Sequence, residues 1–96
     1  MITANDIRAR REEILEIGKL YGASNFRIFG SVARGDATDE SDIDLIVKFE
    51  PGRSLLDHGG LLMDLCDLLG MKVDVISEDG MRPRFRETVL KEVVPL

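Results

Sequence analysis

Apolar and polar positions alternate along the chain with periods that change from helical to extended and back. Apolar side chains recur at roughly helical spacing over residues 5–21, which predicts one amphipathic helix that ends near Gly22. Residues 25–29 and 42–49 are rich in aromatic and β-branched side chains, a composition typical of strands. The first part of the chain therefore predicts a helix followed by two strands.

The second part of the chain repeats this alternation. Ser54 is a candidate N-cap for a helix that runs to Leu69, and Gly70 is a candidate stop signal. Residues 72–77 predict a third strand, and residues 82–91 a last helix. The apolar side chains expected to face inward on that helix are Phe85, Val89 and Leu90. The pattern predicts an α/β (α+β) fold in αβαβα order, with a small mixed sheet of three or slightly more strands packed with helices.

Composition narrows the class of protein. The chain has 96 residues, 13 Lys and Arg against 18 Asp and Glu, and a formal net charge of −5, which predicts one domain over residues 1–96 and argues against general nucleic-acid binding. Cys66 is the single cysteine, so no internal disulfide can form. No apolar run is long enough for a membrane helix, and we expect a soluble, cytoplasmic protein without a membrane partner.

A pair of aspartates is the first candidate for chemistry. Asp42 and Asp44 lie two residues apart in the second predicted strand, so both side chains project from the same face. Two carboxylates that share a site raise each other's pKa unless a cation sits between them. Oxygen ligands without neighbouring His or Cys suit Mg²⁺ or Mn²⁺, and the pair predicts a divalent metal site.

A third carboxylate, Asp74, lies between two valines near the start of the next strand. If the helix before it is a crossover, the second and third strands are parallel neighbours. Asp74 then comes beside Asp42 and Asp44, and three carboxylates can hold two metal ions. An antiparallel first strand would bring its C-terminal end to the same edge of the sheet.

The end of the first strand carries a short glycine-rich segment. Gly30 allows a ligand to approach the backbone, and Ser31 offers a hydroxyl and free backbone N–H groups to phosphate oxygens. Arg34 could contact phosphate, although an arginine in a polar turn is more often solvated. The segment is neither a Walker A loop nor a dinucleotide-binding loop, because the spacing that each requires is missing.

Together, Gly30-Ser31, the Asp42-x-Asp44 pair and Asp74 resemble the nucleotidyltransferase superfamily of DNA polymerase beta, and most closely its minimal nucleotidyltransferase (MNT) branch. The resemblance covers almost the whole chain and implies the nucleotidyltransferase fold. Many members of this branch are antitoxins of a HEPN toxin, a helical ribonuclease, and inactivate it by adding AMP to a tyrosine. The resemblance thus implies ATP as substrate, Mg²⁺ as cofactor and a HEPN-family toxin as partner.

Site roles follow from the same resemblance. It implies that Asp42 and Asp44 bind the metal that accompanies a nucleoside triphosphate, that Asp74 helps to hold a second metal, and that Gly30 and Ser31 grip the outer phosphates. Asp74 could also accept the proton of the acceptor hydroxyl or only orient it. We therefore expect Asp42, Asp44 and Asp74 to be catalytic and metal-binding, with Gly30, Ser31 and Arg34 binding nucleotide.

Two other functions remain open from the sequence. The chain could neutralise a partner by binding alone, without catalysis, or it could transfer a nucleotide to a small molecule such as an aminoglycoside. A chain of this size has little room for an acceptor-binding domain, which favours an acceptor supplied by a partner protein. His58, the single histidine, is better explained as a surface residue of its helix than as a catalyst.

Overall fold

A four-stranded mixed sheet organises the fold in the computed structural model, which describes residues 2–96. The elements are α1 (Ala4–Arg8), α2 (Arg11–Leu20), β1 (Ala23–Phe29), α3 (Gly30–Arg34), β2 (Ile43–Phe49), α4 (Leu55–Leu69), β3 (Val73–Ser77), a 3₁₀ turn (Glu78–Gly80), α5 (Pro83–Leu90) and β4 (Val94–Pro95). The predicted mixed α+β class is confirmed. No helix in the described part of the chain is long and apolar enough to cross a membrane.

The N-terminal helix differs from the prediction, because α1 and α2 are separate helices joined by a turn at Ala9 and Arg10. A capping box starts α1, in which the Asp6 amide donates to Thr3 Oγ1 at 3.2 Å and the Thr3 amide donates to Asp6 Oδ2 at 2.8 Å. The Arg8 guanidinium donates to the carbonyl oxygen of Pro95 at 3.1 and 2.8 Å. These bonds hold α1 against the C-terminal strand.

The strands lie in the order β3-β2-β1-β4. β2 and β3 are parallel, and β1 is antiparallel to both of its neighbours. The sequence therefore predicted the direction of the first three strands correctly. It missed β4, which pairs Val94 with Ile28 and Pro95 with Arg27 at the edge of the sheet.

The two faces of the sheet have different surroundings. One face packs on α2 and α4 to form the core, because alternate strand residues such as Leu45 and Val75 meet Ile14 and Leu65. The other face carries Asp44 and Asp74, which alternate with those core positions. The completely buried side chains of the core include Ile7, Ile14, Ile28, Ile43, Leu45, Leu61 and Leu65.

The crossover helix α4 connects β2 to β3 and has the ends that the sequence predicts. Ser54 caps its first turn in a capping box with Asp57, and Gly70 ends it with φ +65° in the left-handed region. His58 is half-buried rather than a surface residue: its Nε2 lies 2.9 Å from the carbonyl oxygen of Val75, and its ring stacks on Phe49.

The last helix contradicts one part of the predicted core. Val89 is buried and Leu90 is half-buried, but Phe85 is 48% exposed. Only the C-terminal end of α5 therefore contributes a fully buried side chain. Pro83 stands in the first turn of α5, where a proline costs no helical hydrogen bond.

Candidate functional site

The candidate site is built around Asp44, near the start of β2. In the sheet register Asp44 lies between Phe29 on β1 and Asp74 on β3. Asp42 directly precedes β2, which begins at Ile43, so the predicted strand started one residue too early. The C-terminal end of β1 and the N-terminal ends of β2 and β3 thus meet at one edge of the sheet, as the sequence predicts.

The electrostatics of Asp44 reflect its acidic neighbours. Partial burial of the carboxyl group raises its pKa above the ordinary value, and the charges of Asp74 and Asp42 raise it further. The positive charge of Arg34 acts in the opposite direction. Ionisation of Asp44 therefore costs free energy in the folded protein, and a bound cation would remove that cost.

Gly30 fits directly against the Asp44 carboxylate. Its φ is +75°, a left-handed conformation that glycine adopts without strain. A Cβ placed on Gly30 would collide with Oδ2 of Asp44 and would lie 3.3 Å from its carboxyl carbon. Only a glycine lets the chain turn this close to the carboxylate.

The short helix α3 begins at Gly30 and carries the other predicted phosphate ligands. Ser31 is half-buried and its hydroxyl makes no hydrogen bond within residues 2–96, so it is available to a ligand. Arg34 is half-exposed, and its Nε lies 3.3 Å from Oδ2 of Asp36. The helix ends at Gly35, whose φ of +80° is again left-handed.

Lys72 is a neighbour of this site that the sequence analysis did not single out. Its Nζ lies 3.6 Å from Oδ2 of Asp42. Its carbonyl oxygen accepts a hydrogen bond from the amide of Ile43 at 3.0 Å, which fixes its backbone beside the start of β2. Its position as the first residue of the third predicted strand was the only signal that could have indicated this contact.

A metal ion needs oxygen ligands at this edge of the sheet, and the side chains meet that need in part. Within residues 2–96, no group of three or more His, Cys, Asp or Glu side chains is arranged to hold a metal ion. Magnesium, however, is usually held by one or two carboxylates together with substrate phosphates. The carboxylates of Asp42 and Asp44, with the backbone of Gly30 packed directly against Asp44, fit that mode of binding.

A buried ion pair lies farther along the same sheet face. Nη1 of Arg27 is 2.8 Å from Oε1 of Glu78, and both side chains are almost completely buried. Nη2 of Arg86 lies 3.6 Å from the same oxygen and links α5 to the pair. Arg27 keeps the pKa of Glu78 below its usual range through the hydrogen bond and the charge, so Glu78 is ionised at neutral pH.

Comparisons with known proteins agree with this geometry. The sequence model of the nucleotidyltransferase domain matches residues 8–96. Protein adenylyltransferase MntA of Thermococcus cleftensis is 38% identical over 79 residues, which cover 82% of this chain and 80% of that protein. A Methanocaldococcus jannaschii protein provisionally named a protein adenylyltransferase is 36% identical over 89 residues, covering 93% and 96% of the two chains.

Solved structures give the same picture. A structure provisionally described as a minimal nucleotidyltransferase superposes with a TM-score of 0.87 at 52% identity and covers 99% of this chain and 97% of its own. A toxin–antitoxin structure with AMP-PNP has a TM-score of 0.74 at 19% identity and covers 88% and 69%. The second likeness is one of fold alone.

Proposed function

The chain belongs to the nucleotidyltransferase domain family and is a nucleotidyltransferase, as its sequence resemblance predicts, and from this premise we propose that it transfers AMP from ATP to a partner protein in a magnesium-dependent reaction. The observation that carries the proposal is the position of Asp44, which lies in register with Asp74 and directly against Gly30. We propose further that residues 1–96 act as one minimal nucleotidyltransferase domain.

Each residue of the candidate site receives a role in this proposal. Asp42 and Asp44 hold the metal that accompanies the triphosphate, and Asp74 helps to hold a second one. When bound, the metal ions supply positive charge that stabilises the entering and leaving oxygens at the α-phosphate. The free hydroxyl of Ser31 and the backbone at Gly30 bind the outer phosphates, and Arg34 offers them a positive charge from α3.

The acceptor hydroxyl approaches along the open part of the carboxylate face. Asp74 is exposed there, so its carboxylate can reach an acceptor without displacing protein atoms. It either accepts the proton of the acceptor hydroxyl or orients that hydroxyl for in-line attack on the α-phosphate. Pyrophosphate leaves, and the phosphodiester to AMP remains on the acceptor.

The partner is proposed to be a HEPN-type ribonuclease toxin, which this chain neutralises as its antitoxin in the cytoplasm. A relative named protein adenylyltransferase MntA supports a protein acceptor, and toxin–antitoxin assemblies of the same fold support a toxin as that protein. The net charge of −5 suits a basic partner surface. The AMP-PNP in one of those assemblies supports an adenine nucleotide as the donor.

The direct test is transfer of label to a purified partner. The chain is incubated with Mg²⁺, ATP labelled at the α-phosphate and the product of a HEPN-like gene adjacent to its own. Asp44→Asn is the site variant, and Asp67→Asn is the matched control because Asp67 is an exposed aspartate on α4. We expect label on the partner with the wild type and with Asp67→Asn, and loss of label with Asp44→Asn.

The other outcomes separate the remaining functions. If no label is transferred but Asp44→Asn still binds and silences the toxin, the chain neutralises by binding alone and the catalytic proposal is wrong. If label reaches an aminoglycoside without any protein present, the acceptor is a small molecule. Circular dichroism and size-exclusion profiles of the variants establish that each is folded before the comparison is made.

A further inference from the structure

Lys72 places a positive charge beside the proposed metal site, since its ammonium lies 3.6 Å from Oδ2 of Asp42. This is the place on Asp42 where a metal ion would bring its own charge. An ammonium group and a divalent cation compete for the same carboxylate, because both bind its oxygens and their like charges repel each other. The two cannot both neutralise Asp42 fully.

The backbone of Lys72 is fixed by a hydrogen bond, while its side chain is exposed. The carbonyl oxygen of Lys72 accepts the Ile43 amide at 3.0 Å, so Cα of Lys72 stays beside the start of β2. The side chain itself is 74% exposed, whereas that of Asp42 is 34% exposed. A tethered ammonium on a flexible stem can therefore occupy the carboxylate and leave it without rearrangement of the sheet.

From these contacts we infer that Lys72 is a built-in competitor of the divalent cation, which neutralises Asp42 in the metal-free protein and must leave it when the metal binds. The inference rests on the proposed metal site and adds a residue that sets its affinity. Arg34 has a different carboxylate beside it, since its Nε lies 3.3 Å from Oδ2 of Asp36. The consequence is a site that binds free metal weakly and fills when the metal arrives with a triphosphate.

The size of the effect follows from the exposure of the pair. Exposed ion pairs contribute about 0.2–1 kcal/mol, so removal of the ammonium should tighten metal binding by about 1.5- to 5-fold. Because an exposed pair is screened by salt, the gain should shrink as the ionic strength rises. A residue that only maintains the fold would show neither the gain nor its salt dependence.

The experiment is a titration of the full chain with Mn²⁺, with free Mn²⁺ measured by electron paramagnetic resonance at low and at high salt, without nucleotide. The variants are Lys72→Met, which removes the charge and keeps the stem, and Lys72→Arg, which keeps the charge. Lys19→Met is the matched control, because Lys19 is 75% exposed and its Nζ lies 3.4 Å from Glu16 in a comparable surface pair on α2. The Asp42→Asn/Asp44→Asn variant reports whether Mn²⁺ binds at the proposed site.

The inference predicts that Lys72→Met binds Mn²⁺ about threefold more tightly at low salt, while Lys19→Met and Lys72→Arg remain close to the wild type. If the wild type binds Mn²⁺ through the aspartates but Lys72→Met binds equally or less tightly, Lys72 is not a competitor, and the metal site stands without it. If the double aspartate variant binds Mn²⁺ as well as the wild type, the metal site and the inference both fail.

Discussion

Gly30→Ala tests whether the close approach of the backbone to Asp44 builds the site. The chain offers a matched control in Gly35, since both glycines have left-handed φ angles, +75° at Gly30 and +80° at Gly35. A Cβ at Gly35 would meet nothing within 4 Å, whereas a Cβ at Gly30 would collide with the Asp44 carboxylate. The two substitutions therefore share the backbone strain and differ in the contact.

The expected loss of unfolding free energy has two causes, the backbone strain and the contact with Asp44. Placing an L-residue in the left-handed region costs about 1–2 kcal/mol, and both variants should lose that much free energy of unfolding. At Gly30 the carboxylate must also move away from the new methyl group, which should cost about 1–3 kcal/mol more, as overpacking usually does. We expect Gly35→Ala to lose about 1–2 kcal/mol and Gly30→Ala about 2–5 kcal/mol.

Urea denaturation and Mn²⁺ titration measure the two consequences. Gly30→Ala should weaken Mn²⁺ binding by about 10-fold or more, because a displaced ligand typically costs that much metal affinity, while Gly35→Ala should bind Mn²⁺ like the wild type. Equal destabilisation of the two variants, with unchanged metal affinity in Gly30→Ala, would refute the reasoning. Gly30 would then be required only for its backbone conformation.

Three further predictions follow from single contacts. Asp44→Asn should abolish nucleotide transfer yet raise the free energy of unfolding by about 0.5–2 kcal/mol, as measured by urea titration near pH 7. Because the pKa of Asp44 is raised in the folded protein, the stability of the wild type falls as the pH rises through that pKa. The stability gained by the variant should therefore vanish in acid. Glu78→Gln should lower the free energy of unfolding by about 3 kcal/mol, because Arg27 is left buried without its partner. In a double-mutant cycle, Arg27→Met/Glu78→Gln should restore part of that loss. Because the pKa of Glu78 is lowered, the stability that the pair contributes should be lost as the pH falls through that pKa. Gly59→Ala should raise the thermal midpoint of unfolding, since the new Cβ meets nothing within 4 Å. Gly60→Ala should lower that midpoint, since its Cβ would collide with the ring of Tyr21. Equal shifts of the two midpoints would contradict the prediction.

The parts of the fold that the sequence predicts well are those with local signals. Ser54 and Gly70 mark the two ends of α4 because a capping side chain and a left-handed glycine act within one turn of the helix. The parallel pairing of β2 and β3 follows from the crossover rule once α4 is placed between them. In the observed register Asp44 lies opposite Asp74, beside which the sequence placed it.

The features that the sequence did not predict depend on contacts between distant residues. The break between α1 and α2 accompanies hydrogen bonds from Arg8 to the carbonyl oxygen of Pro95, 87 residues away. β4 has two residues, and one of them is a proline, so no periodicity could indicate it. Phe85 was expected in the core because its helix was treated as amphipathic along its whole length, but half of its side chain remains exposed.

Charged partners were the least predictable part of the candidate site. The pair of Arg27 and Glu78 joins residues 51 positions apart and is buried, although charged residues on a strand are usually expected to be solvated. The contact of Lys72 with Asp42 likewise depends on strand register. The sequence indicated Asp42 and Asp44 because their spacing is local, and it missed Arg27 and Lys72 because their carboxylate partners are distant in the chain.

The charge balance around Asp44 links stability to function at this site. Burial and the charges of Asp74 and Asp42 raise the pKa of Asp44, and Arg34 only partly offsets them, so the folded protein retains unfavourable charge beside the glycine turn. Such a site is destabilising until a cation enters, and binding of the cation then recovers stability through mass action. The same crowding that makes Asp44→Asn stabilising should therefore make the wild type, and not that variant, gain thermal stability when Mn²⁺ is added.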